Sequence, residues 1–143
     1  MITFVKTEAV LPLRARVLRD GKLPGECIFP GDEKESTFHL AEMQQERVIC
    51  VATFHLQSHP DFAGKGYQLR GMATESDSRG HGVGTKLVNF AIVYLRGLKA
   101  DYLWCNARKN AYSFYLSQGC EFISDEFDIP KIGPHRTMYL RVR

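Results

Sequence analysis

Residues 79–84 read Arg-Gly-His-Gly-Val-Gly, three glycines at alternate positions behind an arginine, set between a strand-like run and a helix-like one. Glycine loses the most conformational freedom on folding, so such a cluster marks a tight turn or a close approach of backbone to a ligand. A strand-to-helix junction also leaves main-chain N–H groups without partners and adds the positive end of the helix dipole, which suits an anion. With Arg79 at the rim, a phosphate-bearing ligand is the natural reading. It is not a P-loop, because Gly84 is followed by Thr85-Lys86 rather than Lys-Ser/Thr. A dinucleotide fingerprint fits poorly too: the spacing is G-x-G-x-G, and Asp101 begins the next strand instead of ending it. On these residues alone a purely structural turn stays open.

The surrounding pattern predicts the order β-α-β-β-β-α-β-α-β-β. Residues 2–6 read as a short strand. Residues 7–19 have helical spacing of Val10, Arg14, Val17 and Leu18, with Thr7 as a cap candidate and Pro12 marking where a regular helix could begin. Residues 20–35 form a long loop punctuated by glycine and proline. Strands at 36–43 and 47–54 form a hairpin, and 67–74 alternates as a strand. Behind the glycine turn, Val83, Leu87, Val88, Ala91 and Leu95 make a helical stripe with Gly97 as a stop. A buried strand at 101–107, a short helix at 109–118 capped by Asn110 and ended by Gly119, and two closing strands complete the chain. Adjacent strands interrupted by helices imply an α+β fold: a mixed, mostly antiparallel sheet with helices on both faces, not a doubly wound parallel one.

Strand 67–74, the R-x-x-G-x-G turn at Arg79, Gly82 and Gly84, a long helix, strand 101–107 and then Ala111, Phe114-Tyr115 and Gly119 together resemble the GNAT superfamily of acyl-CoA-dependent N-acyltransferases. The resemblance is strong over 67–122 and looser over the remaining order. The segments RGMAT, WCNAR, FY and IPKIGPH look like a branch of small bacterial members. It implies a single domain over 1–143, acetyl-CoA as acyl donor, and a primary amine of a small molecule or a peptide as acceptor, joined by direct attack in a ternary complex. Main chain at Met72, Ala73 and Thr74 would pair with the pantetheine arm. Amides from Gly80 through His81, Gly82, Val83 and Gly84 to Thr85, with Arg79 beside them, would hold the pyrophosphate. An N–H near Met72 would polarise the thioester carbonyl. Tyr115 stands in the register of the family's general acid for the departing sulfur.

Two departures matter. The strand carboxylate that serves many relatives as general base is absent, and Gln68, Arg70, Trp104 and Asn106 stand there instead. A water chain, Glu75 or His135 is left to do that work. The asparagine expected seven positions before the tyrosine is Arg108, with Asn106 and Asn110 nearest; Asn106 and Arg108 are assigned to the coenzyme side. The missing carboxylate keeps a rival open, an acyl-CoA-binding module that senses without turnover. The acceptor pocket is expected from helix 7–19 and its following loop, loop 55–66 and loop 128–135.

With 143 residues the chain can bury its own core, and a net charge of +3 with scattered basic residues gives no reason to expect nucleic acid. Cys27, Cys50, Cys105 and Cys120 form no CxxC pair and read as reduced thiols of a cytoplasmic protein. No apolar stretch approaches the roughly 18 residues of a membrane span. His55 and His59 lack the partners of a zinc site, so no metal is expected. The acids at 32–35 and 124–128 read as exposed. A homodimer is left open.

Overall fold

The computed structural model describes residues 1–18 and 23–143. Its elements are β1 (Ile2–Val5), α1 (Thr7–Leu18), β2 (Phe38–Gln44), β3 (Arg47–Leu56), β4 (Gly66–Thr74), α2 (Val83–Gly97), β5 (Tyr102–Arg108), α3 (Tyr112–Ser117), β6 (Glu121–Phe122), β7 (Phe127–Ile129) and β8 (Gly133–Arg141). They build one eight-stranded sheet in the order β1-β2-β3-β4-β5-β8-β6, with β7 also on β8. Only β4 and β5 run parallel; every other pair is antiparallel. This is the mixed sheet that the pattern predicts.

Strand alternation sorts side chains onto two faces. Leu40, Ala52, Phe54 and Leu69 face α2, where Leu87, Val88, Ala91 and Leu95 close the larger core. Their odd neighbours Ala41, Val51 and Ala73 face α1, against Val10, Leu11 and Leu13. The α2 stripe is therefore as the sequence reads it.

Several local expectations change. α1 begins at Thr7 and runs through Pro12 instead of starting there. An interior proline costs about 3 kcal/mol, and burial of Val10, Leu11 and Leu13 on the same turns offsets it. Thr7 does not cap; its hydroxyl lies 3.2 Å from Nε2 of His39 across the fold. α2 ends at Gly97 as expected, while the left-handed residue of the exit is Lys99 at φ 64, with Ala100 N–H donating to the Leu95 carbonyl. Residues 109–111 form a 3-10 turn, and no side chain caps α3. The strand expected near 121–127 is two short ones, because Ile123 N–H donates to the Thr137 carbonyl and the chain then leaves β8 until Phe127. Arg19, which the sequence places at the end of the first helix, and the first loop residues 20–22 lie outside the described residues.

Candidate active site

β4 and β5 pair at three positions, Gly66 with Tyr102, Tyr67 with Leu103 and Gln68 with Trp104, and then part. On its other side β4 stays paired with β3, but through a bulge: Thr53 faces Arg70 and Val51 faces Ala73, so β4 carries one residue more over that stretch. Gly71 sits in the bulge at φ 65, and a Cβ there would stand 2.7 Å from Nε of Arg14 and 2.9 Å from the Phe29 ring. Glycine is required twice over, by conformation and by space. The bulge bends β4 away from β5 and opens a cleft of 710 Å³.

At one end of the cleft lies the glycine turn. Gly80 and Gly82 hold φ values of 81 and 74, and a Cβ on either would meet nothing within 4 Å. Their glycine identity follows from the left-handed backbone, where the sequence argument invoked clearance for a ligand. Gly84 differs: a Cβ would stand 3.1 Å from Met72 Cε and 3.2 Å from the Phe114 ring, so it lets α2 start close to the bulge. No side chain caps the N-terminus of α2, and Arg79 Nε reaches back 3.3 Å to the Thr74 carbonyl.

Tyr115 projects from α3 into the larger core, where it is 7% exposed, and still lines the cleft. No described residue hydrogen-bonds its hydroxyl. Burial, and then the thiols of Cys105, Cys120 and Cys50, push its pKa well above the ordinary tyrosine value. The group is therefore a protonated phenol at neutral pH.

His135 enters from β8. Met138 on that strand points into the α2 core, so His135 and Thr137 face the α1 side. His135 is 4% exposed, its ring stacks on Phe127, and Nδ1–H donates to the Gly133 carbonyl at 2.8 Å. That bond fixes the tautomer and leaves Nε2 as the lone-pair nitrogen. Glu75 is engaged elsewhere: Arg47 and Arg16 bind its carboxylate at 2.9 and 3.0 Å, and it does not line the cleft. Hydrogen bonding from Arg47 is the main cause that holds its pKa low, against a smaller opposing effect of burial.

Of the residues that the sequence nominates for catalysis or the coenzyme, all line this cleft except Glu75 and His81, the latter exposed on the turn. Asn106 accepts a hydrogen bond from the Thr137 hydroxyl at 2.8 Å. Arg108 donates to the Leu18 carbonyl at 2.9 Å, so it reaches toward α1. Loop 55–66 does not contribute. His59 and Phe62 pack on Trp104 and Tyr139 instead. Phe29 lies in the loop after the first helix that the sequence assigns to the pocket, whereas Arg70 was missed as a wall residue; its guanidinium lies 4.3 Å above the Phe29 ring. Alternation along 67–74 carried that signal for Arg70.

Asp32 corrects a second expectation. It is buried, not exposed, and takes both Nη atoms of fully buried Arg14 at 2.7 and 3.3 Å. Burial alone would raise its carboxyl, but hydrogen bonds from His55 and Arg14 hold it well below the carboxylate range. Thr53 joins Arg14 to Nδ1 of His39 at 2.7 Å each. Burial lowers the pKa of His39. His55 is thus committed to Asp32 while His59 lies against Trp104. All four cysteines are buried as free thiols. Burial raises the pKa of Cys105, with a smaller contribution from Cys120, which disfavours a nucleophile there. No helix among the described residues is long and apolar enough to cross a membrane.

The chain matches the profile of the Acetyltransferase (GNAT) family over residues 13–120. It belongs to that family. A protein named as the uncharacterized N-acetyltransferase YitI of Bacillus subtilis (strain 168) is 33% identical over 140 residues, covering 97% of this chain and 94% of that one. Among solved structures, FeeM, an N-acyl amino acid synthase from uncultured soil microbes, superposes with a TM-score of 0.81 at 13% identity, covering 99% and 95% of the two chains. An aminoglycoside 6'-N-acetyltransferase complexed with coenzyme A superposes with a TM-score of 0.75 at 14% identity, covering 100% and 97%. The GNAT chain described here is therefore an acetyltransferase, an enzyme of acyl transfer to amines. One of those two structures is named for an amino acid and the other for an aminoglycoside. The shared fold does not choose between them.

Proposed function

We propose that this chain moves an acetyl group from acetyl-CoA to a primary amine by direct attack within a ternary complex. The observation that carries the reading is the parting of β4 from β5 after Gln68 and Trp104, with Tyr115 on one side of the opening and His135 on the other. The residues fit the donor. β4 beyond Gln68 has no strand along its β5-facing edge, so Met72, Ala73 and Thr74 offer main chain to an amide-bearing arm. The uncapped start of α2, the left-handed Gly80 and Gly82 and the nearby Arg79 suit a diphosphate.

When bound, acetyl-CoA supplies an activated carbonyl whose C–S bond breaks as the new C–N bond forms. An amide of the β4 bulge near Met72 donates to the carbonyl oxygen as charge builds there. Nε2 of His135 takes the proton that the attacking nitrogen loses, its tautomer set by the Gly133 carbonyl. Tyr115 gives its hydroxyl proton to the leaving sulfur.

The test is release of free thiol on mixing the protein with acetyl-CoA and a panel of primary amines. Amine-dependent release is expected. Calorimetric binding of acetyl-CoA with no release for any amine overturns the catalytic reading in favour of a sensing module.

A further inference from the structure

Resting on that reading, we infer that Asn106 is a further catalytic residue. Its carboxamide oxygen accepts one N–H of the attacking nitrogen while His135 accepts the other, so the site selects primary over N-methylated amines. Cys105 and Ala107, on either side of Asn106, belong to the α2 core, so Asn106 itself is exposed on the α1 side. The sequence assigns it to the coenzyme; alternation sets it on the face that carries His135, across β5 from Tyr115. It stands two residues beyond Trp104, the last β5 partner of β4, and is the first α1-facing side chain of β5 in the opening.

The Thr137 hydroxyl donates to Oδ1 of Asn106 at 2.8 Å. A carboxamide has an acceptor at one end and two donors at the other, and this bond turns the acceptor end toward β8. His135 lies two residues from Thr137 on the same face of that strand, a step of about 7 Å. Among the described residues nothing else bonds the Asn106 carboxamide, so the second lone pair of Oδ1 is left for a ligand. Two fixed acceptors, Nε2 and Oδ1, therefore border one stretch of the cleft. A neutral primary amine fits them: its two N–H groups bond the two acceptors and its lone pair is left to aim at the thioester carbon. As the C–N bond forms and the C–S bond breaks, one N–H proton passes to Nε2. The other stays on nitrogen as the N–H of the product amide, and the sulfur takes its proton from Tyr115. An N-methyl amine brings one N–H to two acceptors and leaves the carboxamide oxygen against a methyl group.

The experiment compares pairs that differ by one methyl group on nitrogen. Thiol release at saturating acetyl-CoA is measured with benzylamine, leucine, glycinamide and 1,4-diaminobutane, each against its N-methyl counterpart. In the wild-type enzyme each active primary amine is expected to exceed its counterpart by about tenfold or more in kcat/KM. Asn106→Ala should lower kcat/KM for the primary amines about tenfold and shrink that ratio, with calorimetric acetyl-CoA affinity within about twofold. Thr137→Val, which leaves the carboxamide free to turn, should reproduce the loss, and Thr137→Ser, which keeps the hydroxyl, should not. N-methyl amines performing as well as primary ones in the wild type, or an unchanged ratio in Asn106→Ala, overturn the inference and leave the proposed reaction standing. A large loss of acetyl-CoA affinity in Asn106→Ala returns the residue to the donor side and overturns its role here. No thiol release with any primary amine overturns the proposed reaction, and this inference with it.

Discussion

On the α2 face, Leu87, Val88, Ala91 and Leu95 meet Leu40, Ala52, Phe54 and Leu69, and the buried charge on that side is Glu42, opposite Cys50 and 3.1 Å from the N-terminal ammonium. On the α1 face, Arg14 and Asp32 have fully buried side chains and are surrounded by Thr7, His39, Thr53 and His55. Apolar contacts are non-directional and accept small shifts. A buried bidentate ion pair holds its geometry, and it breaks at a high cost. The directional face is the one that packs against the β4 bulge, since Nε of Arg14 lies where a side chain on Gly71 would stand. The adaptable face carries Tyr115. The contrast teaches that the cleft is framed by a directionally bonded wall on the α1 side and a hydrophobic one on the Tyr115 side.

The strongest test of that contrast is Arg14→Ala, which strands the buried Asp32 carboxylate and should cost about 3–5 kcal/mol in urea denaturation. Arg14→Met, which keeps the volume, should cost much less while lowering turnover, if the pair serves the bulge more than it serves stability. An unchanged denaturation midpoint for Arg14→Ala breaks the comparison. On the opposite face, Leu95→Ala should cost about 2–5 kcal/mol, with acetyl-CoA affinity unaltered.

Tyr115→Phe keeps the packing and removes only the proton donor. A fall of roughly 100-fold in kcat, about 2.7 kcal/mol, is expected with KM for acetyl-CoA within a few-fold. Unchanged kcat removes the acid assignment. Gly82→Ala forces a side chain into left-handed backbone and should cost about 1–2 kcal/mol, together with weaker acetyl-CoA binding by calorimetry.

The smallest effect near neutrality is the pH dependence. Asp32 and His39 both have lowered pKa values, so the folded state binds fewer protons than the unfolded chain wherever either titrates. Stability is therefore full above the ordinary histidine pKa of about 6.5. It declines first as the unfolded chain protonates at His39, and again below the ordinary Asp value of about 3.9. Leu95→Ala should lower this profile evenly, while Asp32→Asn should flatten its most acidic limb. Parallel profiles in both variants argue against the charged cluster as the acid-sensitive element.

The glycine turn, the α2 stripe and the tyrosine register were legible because each is a local pattern, set by spacing within a single element. The Arg14–Asp32 pair was not. Its partners lie 18 residues apart, and Asp32 sits in an acidic run that looks solvated. The one local sign was Arg14 on the apolar stripe with Val10 and Val17, a charge where the helix should be dry. The split of the strand near 121–127 was hidden for a related reason: an apolar run shows strand character but not which carbonyls of β8 remain available. Loop 55–66 was expected in the pocket, whereas its aromatics pack on Trp104 and Tyr139 and line none of the cleft.

Since three residue pairs alone tie β4 to β5, the sheet is two four-stranded leaves sharing a short spine. Parallel pairing is slightly weaker per residue than antiparallel, so swinging the leaves apart disturbs few bonds beyond that spine. A molecule wedged between them and bonded to both edges acts as a filler strand. Hydrogen exchange at residues 66–68 and 102–104 should then slow on acetyl-CoA binding, far from the atoms that react.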